Sequence, residues 1–175
     1  MTVQWNHAFI DYSCNKLEQL TERICICLDQ LNDDQIWLRG SESENAVGNL
    51  VLHLCGNVRQ WIGFGVGGKL DIRARDLEFA ARGGVPATEL KERLRATAAD
   101  AVSIIRALTP ERLQETTKIQ TYEISVLQAV YHVVEHFSGQ AGQIIYFTKH
   151  FTGKDLSFYG HLAPASAPPQ TERTP

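Results

Sequence analysis

The chain has 175 residues, 43% of them hydrophobic, 21% charged and 9% aromatic, with a net charge of −3. That length suits one domain with a core of its own, and an acidic balance argues against non-specific nucleic-acid binding. No apolar run approaches the roughly 20 residues of a membrane helix, and the start Met-Thr-Val-Gln-Trp-Asn has neither the positive nor the apolar part of a signal peptide, so a cytoplasmic location without membrane contact is expected.

Four segments carry helical periodicity and no segment sustains strand alternation. The first runs from about Asn6 to Leu31, with Phe9, Leu17, Leu20, Ile24 and Leu28 at three- and four-residue spacings, and breaks at Asn32-Asp33-Asp34. The second, about Asn45 to Phe64, closes in a glycine cluster at 63, 65, 67 and 68. The third follows Pro86, with Thr88 as its expected N-cap, and continues to Leu108. Thr109-Pro110 then opens a brief extra turn. The fourth starts near Ser125, where Ser125-x-x-Gln128 forms a capping box, and ends before Gly153. The expected architecture is all-α, an up-and-down four-helix bundle over residues 1–153, followed by a poorly ordered Pro/Ala/Thr-rich tail at 154–175. The connection from Gly65 to Pro86 is longer than a simple link needs, a mild pointer to function.

Four cysteines are too sparse for a disulfide scaffold, and Cys25 and Cys27 lie about 200° apart around a helix, so they read as small buried thiols. Of the six histidines, His132 and His136 are four apart and project from one helix face. That spacing lets two imidazoles bind one ion, with His53, midway along the second helix, as the third ligand. His53 lies among Asn49, Asn57 and Gln60, beside an apolar arc. Three half-buried, hydrogen-bonded histidines would read the same way, and the residues alone leave the two open. His150 is too far along its helix to join, and His7 and His161 have no partner at useful spacing. The His132-Val-Val-Glu135-His136 stretch matches the pattern of inverted zinc peptidases. That class needs a further acidic ligand downstream, where only Asp155 and the tail's Glu172 stand, and the reading is set aside. Glu135 remains a candidate general base, or else an exposed helix carboxylate.

The stretch Asn45-Ala-Val-Gly-Asn-Leu-Val-Leu-His53-Leu-Cys-Gly-Asn-Val-Arg-Gln-Trp61 resembles the DinB-like superfamily, in its branch with "GNLLLHLxGNxRQW". Asp71-x-Arg73-x-Arg75-x-x-Glu78-Phe79 and His132-x-x-x-His136-x-x-x-Gln140-x-Gly142-Gln143-Ile144 are similar to the same branch. The resemblance implies a DinB-like four-helix bundle, a homodimer formed through helix faces, and a three-His site for a divalent metal, Zn or Ni, with open positions. It implies a metal-dependent transferase or hydrolase, some of whose relatives use a low-molecular-weight thiol. Related sequences often carry His where this chain has Gln140, which makes His53 and His136 the firmest ligands, His132 the third and Gln140 an alternative.

An ion so held would activate a water or a small thiol against a small-molecule substrate. Arg73 and Arg75 would anchor an anionic group, with Asn49 and Asn57 as further substrate-binding residues; pairing of the arginines with Asp71, Asp76 or Glu78 is the competing expectation. The alternative function is a non-catalytic dimeric bundle whose metal site is structural, sensory or lost. A DNA-damage role, suggested by the family name, is disfavoured by the absence of a basic stripe.

Overall fold

The computed structural model describes residues 2–162; the expected disorder of the tail beyond 162 lies outside them. Four long helices dominate: α1 (Thr2–Asp29), α3 (Val47–Val58), α5 (Ala87–Arg106) and α7 (Val126–Thr152). Three short helices join them, α2 (Asp33–Ile36), α4 (Arg75–Ala80) and α6 (Pro110–Gln114), with a hairpin of β1 (Thr116–Ile119) and β2 (Tyr122–Ser125) before α7. The expected helical bundle is what the chain forms. Its core is the sum of the apolar stripes, with Leu17, Ile24 and Leu28 of α1 meeting Leu90, Leu94 and Ile105 of α5, and Phe137 of α7 fully buried. Among the described residues no helix is long and apolar enough to cross a membrane.

Contacts give the order. Glu22 of α1 pairs with Arg95 of α5 and Glu18 with Arg106, so these helices run antiparallel. His53 and Trp61 of α3 meet His136 and His132 of α7 in reverse order, so that pair is antiparallel too. On the α3–α5 side, Cys55 neighbours Thr97, and the chain at Gly67 neighbours Ile104, so these two run the same way. The bundle is therefore up, down, down, up: all-α as expected, but with α3 and α5 parallel where a strictly up-and-down order would alternate. The connection Gly65–Pro86 is long because it returns the chain along α5, a helix of 20 residues and about 30 Å.

Several ends follow local rules. Ser125 and Gln128 form a reciprocal capping box, Thr109 accepts from Arg112 N with Pro110 at the first turn, and Gly153 closes α7 at φ 64°. Two expectations are corrected. α5 starts at Ala87 behind Pro86, which places Thr88 inside the first turn instead of at the cap. The hairpin contradicts the absence of strands: its arms are four residues each, too short for alternation to register, and Gln120 takes the left-handed φ of 55° at a turn that lacks Gly or Asn. The four cysteines are free and buried. Residues 154–162 fold back on the bundle, where Arg23 of α1 lies over the rings of Phe158 and Tyr159.

One irregularity positions the site. From Arg59 to Phe64, α3 continues as a π-helix, with Gly65 N and Gly67 N donating to Gln60 O and Ile62 O, five residues back. Such wide turns concentrate at functional sites.

Candidate functional site

The site lies between α3 and α7, closed by α4 and its preceding loop on one side and by the hairpin on the other. His53 is buried on α3. Its Nε2 faces His136 Nε2 of α7 at 3.0 Å, and its Nδ1 lies 3.0 Å from Glu78 Oε2 of α4. Arg73 makes a two-pronged contact with the same carboxylate, Nε to Oε1 and Nη2 to Oε2, each 2.8 Å, while Nη1 donates to Gln60 Oε1 at 3.0 Å. Its side chain is only 4% exposed. Arg73 Nη2 also approaches His53 Nδ1 at 3.1 Å, but guanidinium only donates and is already satisfied by Glu78. The tautomer that satisfies every donor therefore carries its proton on Nδ1, given to Glu78, and leaves His53 Nε2 as a bare acceptor.

Burial alone would raise the Glu78 carboxyl, but the hydrogen bonds from Arg73 and His53 outweigh it and hold its pKa below the ordinary value of 4.5. His136 is pushed down to about 4, first by burial and then by the cationic forms of His53 and His132 and by Arg73. At neutral pH its ring is neutral. His132 is also lowered, by burial against the weaker opposing field of Glu135.

Gly56 explains how α4 comes so close: a Cβ there would sit 1.8 Å from Glu78 Oε1. The helix needs a residue without a side chain where the Arg73–Glu78 pair crosses it. Asn49 anchors the other end of α4, its Nδ2 donating to the carbonyls of Glu78 and Ala81 and its Oδ1 accepting from Arg39 and from Ala46 N.

A pocket of about 470 Å³ opens over the histidines, lined by His53, His132, His136, Asn57, Trp61 and Tyr122 among others. His132 stacks on Trp61 with ring centroids 3.9 Å apart and lies parallel to His136 at 5.7 Å. Among the described residues, His132 Nε2 and Asn57 Oδ1 are buried without a hydrogen-bond partner, and both belong to side chains lining this pocket.

Sequence-expected residues thus divide. His53 and His136 are brought together, with His132 and Asn57 beside them. Arg75 reaches the rim, its guanidinium 4.9 Å over the Phe79 ring. Arg73 lines the same pocket, but its charge is engaged by Glu78, so of the two expectations for it, pairing is what the structure displays. Asn49 is occupied in holding backbone. Glu135 is exposed, and Gln140 accepts a 3.4 Å hydrogen bond from Gln143; neither lines the pocket. Glu78, Gly56, Gln60 and Gln120 were not singled out as site residues by sequence reasoning; Gln120 of the hairpin turn donates to Gln60 Oε1 at 2.6 Å. Of these, Glu78 alone had a signal in the sequence, as a possible partner for the loop arginines.

In donor chemistry the site suits a divalent cation. It offers two facing Nε2 atoms, one held as an acceptor by a carboxylate, and two buried polar atoms without partners, His132 Nε2 and Asn57 Oδ1. Among the described residues, no three His, Cys, Asp or Glu side chains are already gathered as a metal-binding set, since His132 rests on Trp61.

The family profile described as "Protein of unknown function (DUF1572)" matches residues 4–160. The chain belongs to that family. Solved structures show that this chain has the fold of DinB-like proteins. A conserved protein from Enterococcus faecalis aligns with TM-score 0.71 and 14% identity, covering 82% of this chain and 97% of that one. A DinB-like protein from Bacillus subtilis aligns with TM-score 0.64 and 14% identity, covering 85% and 97%. A third, DinB-like, from Bacillus cereus gives 0.63 and 15%, covering 79% and 89%. At such identities the likeness concerns the fold alone. No match is found among curated proteins.

Proposed function

We propose that this DUF1572 protein is a divalent-metal-dependent enzyme of the thiol-transferase or hydrolase type, in which His53, His136 and His132 hold one Zn or Ni ion. The observation that carries the reading is the approach of His53 Nε2 to His136 Nε2 at 3.0 Å, beside two unpartnered buried polar atoms. Two neutral imidazoles otherwise gain only one hydrogen bond from such a meeting, whereas a cation would use both lone pairs.

A bound divalent ion supplies an activated water or thiol at its open position. The chain's own residues do the rest. Glu78 fixes the His53 tautomer, and Arg73 neutralises Glu78 so that the buried carboxylate keeps its charge. Trp61 and Tyr122 form an apolar wall that limits water. Arg75, without a carboxylate partner among the described residues, is the rim cation left for an anionic substrate group.

The test uses untagged protein loaded with Zn or Ni, dialysed and assayed for metal. About one equivalent is expected, lost in His53→Ala and in His136→Ala; less than about 0.2 equivalent in the unsubstituted protein overturns the proposal. The second reading, a non-catalytic dimeric bundle, draws on the packing of His132 against Trp61, which gives that ring a structural role. It predicts metal-free protein whose oligomeric state is unaffected by chelators.

A further inference from the structure

On the opposite side of the Arg73–Glu78 pair from the histidines lies a second concavity, a groove of about 600 Å³ between α3, α5 and the loop before α4. That volume is ordinary for a small-molecule site. Its walls are mainly apolar: Leu52 and Cys55 on the helix side, and Leu70, Ile72 and Leu77 on the loop side. The last three are 87%, 78% and 71% exposed. A lone exposed leucine needs no explanation, but three large aliphatic chains around one concavity form a patch that water covers poorly.

The floor supports the same reading. Gly63 lines the groove, and a Cβ there would meet only Lys69 Cδ at an ordinary 3.8 Å. Unlike Gly56, then, no neighbour requires this glycine, and its effect is to deepen the groove. The rim charges differ in how they are engaged, and Asp71, held by neutral donors, keeps its own. Lys69 pairs with Asp100 and Arg93 with Glu89, and Asp71 Oδ2 accepts from Gln60 and its Oδ1 from the Arg73 amide. Arg59, exposed at the start of the π-helical turn, has no carboxylate partner among the described residues.

We infer that this groove binds one small amphiphilic anion, its apolar body against Leu52, Leu70, Ile72 and Leu77 and its acidic head on Arg59. The site stands apart from the metal reading, because Arg73 and Glu78 separate it from the histidines and none of the three imidazoles lines it.

Decanoate, kept below its micelle-forming concentration, is the probe, titrated by calorimetry into the full chain. Saturable binding with a 1:1 stoichiometry is expected, weakened about tenfold by Arg59→Ala, which corresponds to one charge-assisted contact. Gly63→Leu, which fills the floor, and Leu77→Asp should abolish it, while decanol should bind more weakly than decanoate. His136→Ala should leave binding unchanged, so loss of the metal and loss of decanoate are read separately. Absence of saturable binding overturns the inference, and so does binding that Arg59→Ala and Leu77→Asp leave intact. It is equally overturned by self-association that Leu77→Asp abolishes, since a second copy would then cover the groove, or by binding only to anionic vesicles.

Discussion

Replacing Gly56 with Ala adds one methyl group at the point where α4 crosses α3. At an unobstructed helix position this change stabilises by up to about 1 kcal/mol, because Ala loses less backbone freedom than Gly on folding. Here the new Cβ would lie 1.8 Å from Glu78 Oε1 and 2.6 Å from its Cδ, distances no pair of atoms tolerates, so the carboxylate must move. Moving it breaks the contacts to Arg73 and His53. Hydrogen bonds to charged groups contribute about 1.5–3 kcal/mol each, and separating a buried pair costs roughly 3–5 kcal/mol. Because the carboxylate is displaced and not deleted, the lower part of that range applies. Set against the propensity gain, a net loss of about 1–3 kcal/mol is expected. For a chain of this size that is a fall in Tm of roughly 3–10 °C. Differential scanning calorimetry of the metal-free protein measures it, and the slowly exchanging His53 Nδ1–H signal in NMR should vanish with it. A Tm equal to or above that of the unsubstituted protein would refute the clamp. Gly63→Ala is the matched control: its Cβ meets only Lys69 Cδ at 3.8 Å, and stability should hold or rise by up to about 1 kcal/mol.

Asn49→Ala removes the side chain that satisfies the carbonyls of Glu78 and Ala81, the Ala46 amide and Arg39, and should cost about 2–4 kcal/mol in urea unfolding; a loss under about 0.5 kcal/mol would show those groups find water instead. Acid should destabilise the metal-free protein in two stages. His136 titrates at about 4 when folded against 6.5 when unfolded, so its contribution is complete above 6.5 and is lost as pH falls toward 4. Glu78, held below its ordinary 4.5, adds a loss beginning lower, as pH drops through that value. Urea midpoints followed against pH should flatten in the upper stage for His136→Gln and in the lower stage for Glu78→Gln; parallel curves for all three proteins would contradict the assignment.

Much of this architecture is written in local pattern. The stripes Leu17–Ile24–Leu28 and Val130–Val133–Phe137 are set at helical spacing, and Ser125, Thr109 and Gly153 carry end signals that need only neighbouring residues. What local pattern cannot convey is direction and meeting. Nothing in the helices themselves reveals that α3 and α5 run the same way; only the length of the Gly65–Pro86 connection bears on it. α4 went unseen because Arg75–Ala80 buries one residue, Glu78, and so has no apolar stripe. The histidines were visible as a set through the spacing of His132 and His136. Glu78 was visible only as a possible partner for the loop arginines, because its contact with His53 joins segments 25 residues apart and leaves no periodic trace. Arg73 could be read as a substrate anchor or as a partner of Asp71, Asp76 or Glu78, but that its pairing is buried could not be read: burial is a property of the assembled molecule.

The wide turn at Arg59–Phe64 makes the pocket sensitive to length as well as to residue type. It accommodates about one residue more per turn than the helix it extends, which sets where Gln60 and Trp61 point relative to α7. Excising a single residue there would let the segment relax into regular winding and swing Trp61 by roughly a quarter turn off His132, dismantling one wall while both histidines on α7 stayed in place. Chain length in this one turn is thus a control on the pocket that no substitution at the histidines can imitate.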